Sequence, residues 1–381
     1  MPDLRDALGW LSQQAAPMER LLERLVRLNS FTRNRDGVNA VVEVVAAELS
    51  RIGLSVERIP GPPFGDHLAF AGPAAGAPAF LLGHTDTVFP PGTFEGFESD
   101  GRVARGPGVF DMKGGIAAML FGIEALARAG LLGRVPLAGL LVSDEEAGSP
   151  GSQPLTRARA AGSACALCFE SGREGDRIVT RRKGVGALRV EATGVAAHAG
   201  NDHARGRNAI WALARFVDRA QALTDPALGL TVNVGVIEGG SSKNTVPARA
   251  RCEVDLRFPT TAEGERLVAR LEEAARETPV PGTRLSVSRA AWREPMVPGP
   301  EALALAREYG ECQVESGLGS GEAPLSGGGS DASTTSAAGI PSIDGLGPRG
   351  SGYHTPEERV ELDSLGPKAA ALCRFLARSA G

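Results

Sequence analysis

The chain has 381 residues, 42% hydrophobic and 23% charged, and a single core stops growing near about 250–300 residues, so two folded domains are expected. Its 50 glycines and 26 prolines stay below the share that marks low-complexity sequence. With 41 basic against 45 acidic side chains it lacks the positive field that holds nucleic acid or an anionic membrane, so neither is expected as a partner.

Asp3, Arg5 and Asp6 interrupt any apolar signal core at the N-terminus, and no later apolar run is long enough to span a bilayer. Five cysteines, an odd number scattered thinly, are unlike a disulfide framework and suit a reducing cytoplasm. Cys165 and Cys168 form a lone CxxC inside the apolar run ACALCFE and read as buried strand residues.

Residues 18–28 and 38–52 carry apolar side chains at steps of three and four (Leu21, Leu22, Leu25; Val38, Val41, Val42, Val45, Leu49), the stripe of amphipathic helices. Short apolar runs follow at 54–59, 68–71, 79–82, 137–142 and 164–169, with a long helical pattern at 115–128 between the third and fourth. Strands alternating with helices predict an α/β layer structure on a mostly parallel sheet.

The pattern changes between 183 and 293: strand 187–193, helix 207–221, strand 230–237, strand 248–258, helix 263–276 and strand 284–288. That order is β-α-β-β-α-β, the split ferredoxin-like unit. Its clearest piece is ARARCEVDLRF, where Ala248, Ala250, Cys252, Val254, Leu256 and Phe258 alternate with charged residues, giving one buried and one wet face. Helix-and-loop character returns after 295 and ends in an amphipathic helix near 362–376. The expected organisation is an α/β domain over 1–182 and 294–381, interrupted by an inserted α+β domain over 183–293.

Of five histidines, three lie beside acids or glycines: GHTD at His84, AAHAG at His198 and GYHTPEE at His354. Asp86, two residues past His84, is placed to hold the second ring nitrogen or to ligate directly. Asp111 lies between a Gly-Pro-Gly turn and a helix start, where an acid serves equally as an N-terminal helix residue. Asp144, Glu145 and Glu146 follow one apolar strand and Glu170 follows another.

In open α/β sheets the ligand crevice lies beyond the carboxyl ends of the strands, where His84, Glu145, Glu146 and Glu170 are expected. Donors of this kind without thiolates suit zinc, or else cobalt or manganese, in a hydrolytic site. Two imidazoles and three carboxylates suffice for a metal pair sharing one carboxylate, with one of two adjacent glutamates left to act as base. No H-E-x-x-H, G-x-S-x-G or G-x-x-x-x-G-K-[ST] occurs, which removes the zincin, serine-elbow and P-loop classes. SGGGSD, residues 326–331, reads either as close backbone approach to a substrate or as a flexible turn. His203 reads as a loop residue near the lid, its closeness to His198 leaving a substrate role open, and His67 as a surface residue.

GHTDTVFP, ARGPGVFDMKGG, SDEEAGSPGS, CFES, AAHAG, NTVPARARCEVDLR, GGGSDA and GLGPRGSGYHTPEE, in this order, resemble the dinuclear zinc metallopeptidase family twenty over about residues 18–376. That family includes glutamate carboxypeptidase (carboxypeptidase G), aminoacylase, acetylornithine deacetylase and succinyl-diaminopimelate desuccinylase. The resemblance implies two zinc ions per subunit, one on His84, Asp111 and Glu170 and one on Asp111, Glu146 and His354, with Asp111 bridging. It further implies Glu145 as general base to a metal-bridging hydroxide and Asp86 as the partner of His84. The inserted domain would mediate a homodimer and bring His198 to the partner's active site to stabilise the oxyanion. Asn244, Arg257 and Gly329 match substrate-contacting positions.

GGGSDA and GLGPRGSGYHTPEE look closest to the glutamate carboxypeptidase branch, whose substrates carry a free C-terminal carboxylate. That branch has Arg just before the Pro that follows the last insert strand, where this chain reads Trp292-Arg293-Glu294-Pro295. Either Arg293 takes the contact by a one-residue shift, or Glu294 selects an uncharged or basic substrate. Arg177 is a second candidate carboxylate clamp. The resulting expectation is a cytoplasmic amidohydrolase or exopeptidase cleaving an amide beside a free carboxylate. The alternatives are a deacylase of an intermediate such as acetylornithine, or an inactive binding module of the same fold. Against the last, the insert lacks the aromatic stacking positions of an RNA-binding sheet and every metal and base position is filled.

Overall fold

A computed structural model describes residues 3–277 and 280–380. The chain divides into two compact units, one of residues 1–181, 298–326 and 330–381, the other of 182–297 with 327–329.

The larger unit is an α/β layer built on a six-stranded mixed sheet. Its order is Ser55–Ile59, His67–Ala71, Leu137–Val142, Ala79–His84, Cys165–Cys168 and Ser342–Ile343. The last four strands run parallel, while the first two are an antiparallel extension on one edge, so the sheet is mixed and mostly parallel, as the sequence suggested. Ala79–His84 is buried along its whole length, as a central parallel strand flanked on both sides must be.

The helical stripes land where their periodicity put them. In Arg35–Ile52 the side chains of Val38, Val41, Val42, Val45 and Leu49 are fully buried, and Gly53 closes the helix in the left-handed region at φ 107°. Gly114–Arg128 is apolar nearly all round because it lies under the C-terminal helix Leu365–Arg378, whose Ala369, Leu372 and Cys373 share the same core. The helices Leu4–Leu11, Ser152–Ala160 and Pro300–Glu315 complete the layers.

Four short strands form a separate antiparallel sheet in the order Gly350–Ser351, Arg359–Glu361, Val103–Arg105 and Glu98–Ser99. Two or three residues per strand carry no readable alternation, so this sheet has no sequence signature, yet it joins chain segments some 250 positions apart.

The smaller unit is the β-α-β-β-α-β fold expected. Its antiparallel sheet runs Thr231–Gly239, Arg249–Phe258, Gly184–Thr193, Arg284–Arg293, with helices Ala209–Gln221 and Thr261–Arg276 sharing its core. Ala250, Cys252, Val254, Leu256 and Phe258 point inward as their alternation requires. The last strand continues to Arg293, five residues past the expected end. A bulge between Arg289 and Ala291 breaks the alternation while the ladder resumes, Arg293 pairing with Val185.

Candidate metal centre

Strand register brings the deep donors together. His84 ends Ala79–His84 opposite Val142, and Leu82 lies opposite Cys168. One further rung, Phe169 N donating to Leu82 O at 3.0 Å, leaves Glu170 level with His84, and His84 Nε2 lies 3.4 Å from Glu170 Oε1. His84 Nδ1 is 3.0 Å from the main-chain O of Asp86 and 3.5 Å from its carboxylate, so it donates to Asp86 and the Nε2 lone pair faces the donors. The Asp86 carboxylate mainly serves the next strand end. It accepts from Thr32 Oγ1 at 2.8 Å and from the amides of Glu145 and Glu146 at 3.2 Å each, which fixes the turn carrying both glutamates.

The small sheet assembles the rest. Val103–Arg105 pairs with Arg359–Glu361, so the loop leading on to Asp111 and the turn carrying His354 leave the same ladder. Asp111 Oδ1 lies 3.3 Å from His84 Nε2 and its Oδ2 3.4 Å from His354 Nε2, which is also 3.1 Å from Glu146 Oε2. Two donor triads result, His84–Asp111–Glu170 and Asp111–Glu146–His354, with Asp111 common to both.

These spacings fit a metal pair. Two ligand atoms each about 2.0–2.1 Å from a tetrahedral zinc lie about 3.3 Å apart, and the donor pairs here stand 3.1–3.4 Å apart. The charge state of the metal-free centre fits too. Burial pushes the Glu170 carboxyl up to about 8 and the Glu146 carboxyl up to about 7. Hydrogen bonds to Asp111 and Glu146 lift the His354 imidazole to about 11. Burial opposes a charge on His84, but Glu170, Asp111 and Asp86 outweigh it and raise its pKa. Burial likewise opposes a charge on Asp111, but the two imidazoles hold its carboxyl well below the usual range.

Glu145 is half-buried beside Glu146 and belongs to neither triad. Glu358, the last residue of GYHTPEE, is fully buried and accepts hydrogen bonds from the amides of Gly108, Phe110 and Asp111. Its only sequence signal was position four residues past His354. Burial holds Glu358 up to about 7 and the neighbouring Lys113 ammonium, which donates to Leu28 O, down to about 7.

His67 is a correction: it is not a surface residue but buried on its strand, where its Nδ1 accepts from the Ser143 amide at 3.2 Å. Cys165 and Cys168 are buried strand residues as expected, burial pushing the Cys165 thiol up to about 12.

In the smaller unit His198 is exposed on the two-residue strand Ala197–His198, paired with Thr245–Val246. Its Nδ1 accepts from the amides of Gly200 and Asn201, at 3.2 and 3.0 Å, so the neutral ring carries its proton on Nε2, the outward donor. Asn244 is exposed beside it, its carbonyl accepting from Ala199 N at 2.9 Å. Arg257 is half-buried and forked onto Asp255 of its own strand. Arg293 is buried with its side chain against Gly329, whose backbone carbonyl, with that of Gly328, accepts from Arg182. Glu294 is held by Trp292 Nε1 at 2.9 Å and by Thr261 Oγ1. Arg177, in the larger unit, is exposed, and His203 opens a short helical turn.

A mixed α/β sheet whose strand ends and adjoining loops bring together two carboxylate and imidazole triads sharing one aspartate forms a candidate dinuclear metal centre consistent with a two-metal hydrolase. The sequence pattern of peptidase family M20/M25/M40 matches residues 80–378, and the chain belongs to that family. It is similar to carboxypeptidase G2 of Pseudomonas sp., 30% identical with 90% of this chain and 85% of that one covered. It is also similar to a succinyl-diaminopimelate desuccinylase of Cereibacter sphaeroides, 31% identical over 77% of this chain and 81% of the relative. In fold it resembles the aminopeptidase PepT of Bacillus cereus, with a TM-score of 0.78, 21% identity and coverage of 96% and 99%. Among the described residues no helix is long and apolar enough to cross a membrane.

Proposed function

We propose that the chain is a cytoplasmic, homodimeric two-zinc hydrolase that cleaves an amide bond next to a free carboxylate, in N-acyl amino acids or small peptides. The observation that carries this reading is the pair of triads sharing Asp111, with Glu145, outside both triads, next to the candidate ligand Glu146 in the chain. His84, Asp111 and Glu170 would hold one ion, Asp111, Glu146 and His354 the other. A bound metal pair supplies Lewis-acid polarisation and acidifies water.

Glu145 then takes a proton from the attacking water as oxygen bonds to the carbonyl carbon, and returns it to the amine nitrogen as the C–N bond breaks. His198, with Nε2–H outward, donates to the carbonyl oxygen as it gains charge, in the site of the partner subunit. Asn244, Arg257 and Gly329 contact the substrate. Arg293, fixed on a strand rung, is favoured over exposed Arg177 for the carboxylate, and Glu294, held by Trp292 and Thr261, is not presented to a basic substrate. That speaks against an acetylornithine-type deacylase, and the complete donor set speaks against an inactive binding module. For the dimer, the edge strand Thr231–Gly239 exposes Val236 and Ile237, and Ile210 and Trp211 are exposed on Ala209–Gln221, with Ile210 against Gly240. Five cysteines, all without disulfides, support a reducing compartment.

The test is amine release by zinc-loaded protein from N-acyl amino acids, folate-type glutamates, succinyl-diaminopimelate, acetylornithine and dipeptides. Chelator-sensitive hydrolysis of carboxylate-bearing amides is expected. Silence across the panel in protein holding two zinc ions would reject the substrate class, and acetylornithine alone would restore the basic-substrate reading.

A further inference from the structure

The segment that delivers Asp111 ends in a single helical turn, Val109–Lys113, broken by non-helical backbone at Asp111 and Met112, so its own turn does not satisfy all of its amides. It leaves the strand Val103–Arg105, turns through Gly106 at φ 157° and Gly108 at φ 73°, and reaches Asp111 before the helix Gly114–Arg128 begins. Its amides at Gly108, Phe110 and Asp111 all point at one carboxylate: Glu358 Oε2 receives the first at 3.0 Å, and Oε1 the other two at 2.8 and 2.9 Å. Among the described residues no other side chain accepts from these three groups, and left without an acceptor in a buried place they would be destabilising.

Glu358 is also part of the other ligand's turn. Thr355 N donates to Gly352 O and Glu358 N to Thr355 O, each at 3.1 Å, closing a compact bend around His354, whose φ is 62°. One carboxylate therefore spans from the bend that carries His354 to the loop that carries Asp111. The ladder of Val103–Arg105 with Arg359–Glu361 joins the same two segments on the other flank. Lys113 completes the hold from the opposite side, its Nζ reaching Pro107 O at 3.4 Å and Leu28 O at 3.0 Å.

We propose that Glu358 is a positioning residue that sets the spacing of the Asp111, Glu146 and His354 donors by tying the Asp111 loop to the His354 turn. The proposal rests on the two-metal reading of the centre. The other triad shares Asp111 and so feels the tie as well, but its two remaining donors are fixed elsewhere, His84 by Asp86 O and Glu170 by the strand ladder and by Gly347 N donating to Glu170 O at 2.8 Å, whereas the His354 triad has two of its three donors on the tied segments. A carboxylate is needed rather than an amide, since glutamine would turn an NH2 toward either the Gly108 amide or the Phe110 and Asp111 amides. Aspartate keeps the charge but is one methylene short.

Metal-free full-length wild type, Glu358→Gln and Glu358→Asp are titrated with Zn2+, and with Co2+ followed by its visible absorption. Far-ultraviolet circular dichroism and thermal midpoints are recorded on the same samples. The expected result is two ions in all three, the more weakly held ion losing about 10–100-fold in affinity in both variants and the other ion losing less, with an altered cobalt band for the weakened equivalent. Folded variants that bind both ions with wild-type affinities and wild-type cobalt spectra would overturn the proposal, even with a lower thermal midpoint, since Glu358 would then stabilise the fold without setting the donors. Recovery of both variants only in unfolded form would overturn it equally. Wild-type protein that takes up fewer than two ions would remove the two-metal reading itself, an outcome visible before any variant is compared.

Discussion

Glu145 and Glu146 are adjacent in sequence yet differ in what surrounds them: Glu146 Oε2 meets His354 at 3.1 Å within a triad, whereas Glu145 is in none. Glu145→Gln therefore keeps every ligand and removes only the group assigned as base, and turnover should fall by about 10³-fold within the ~10²–10⁴ range of general-base contributions. Metal content by atomic absorption should stay at two per subunit, and unchanged turnover would move the base elsewhere. His67 makes a separate prediction about pH. Burial lowers its pKa from the ordinary value of 6.5, so the unfolded chain binds a proton that the folded chain refuses. Its contribution is fully present above about 6.5 and is lost as pH falls below that value, by at most about 1.4 kcal/mol per pH unit for one proton. Between pH 7 and 5 the thermal midpoint of wild type should drop more steeply than that of His67→Gln; parallel curves would show that His67 accepts a proton in the folded state.

At the scale of the element, the edge strand Thr231–Gly239 carries a prediction of its own. Ile237 is 55% exposed on a strand hydrogen-bonded to Arg249–Phe258 and placed at the end of its sheet order. Buried in the proposed dimer, such an edge would tolerate no charge, so Ile237→Lys should shift the protein from that dimer to monomer in sedimentation without changing its circular dichroism. A dimer that survives the lysine would place the interface elsewhere. Long amphipathic elements were legible in the sequence because periodicity reports burial: the valines of Arg35–Ile52 and the alternation of Arg249–Phe258 each name their buried face. What escaped was structure set by partners rather than by pattern. The bulge at Arg289–Ala291 hid the end of a strand and with it the burial of Arg293. The small sheet that aligns Asp111 with His354 has strands too short to alternate. Of the five candidate ligands, His84, Glu146 and Glu170 were legible as chemistry because they follow strand ends, while Asp111 and His354 entered the set through the family resemblance; Glu358 and Thr32 touch no candidate ligand's donor atom and work through backbone amides or a second carboxylate. His67 misled because a lone polar residue at a strand start gives no sign of the Ser143 amide waiting for it.

For the whole molecule the question is whether one subunit completes the other. His198 is exposed and its ring is oriented by two backbone amides, an arrangement that holds Nε2–H ready for an acceptor outside its own strand pair. If that acceptor belongs to the partner's substrate, two inactive variants can repair each other. His198→Ala retains Glu145 and all ligands, so a site in that subunit lacks only the oxyanion donor. Glu145→Gln retains His198 and can lend it. After subunit exchange at equal concentrations half the dimers are mixed, and each holds one site with both groups, so about a quarter of wild-type activity should return by random pairing in a two-fold dimer. The mixture would be followed by amine release over time, with each variant alone as baseline and a tagged subunit to prove exchange. Exchange without regained activity would assign His198 to its own subunit's site or remove it from the reaction, whereas recovery near a quarter would make the dimer, rather than the single chain, the smallest unit able to perform the hydrolysis.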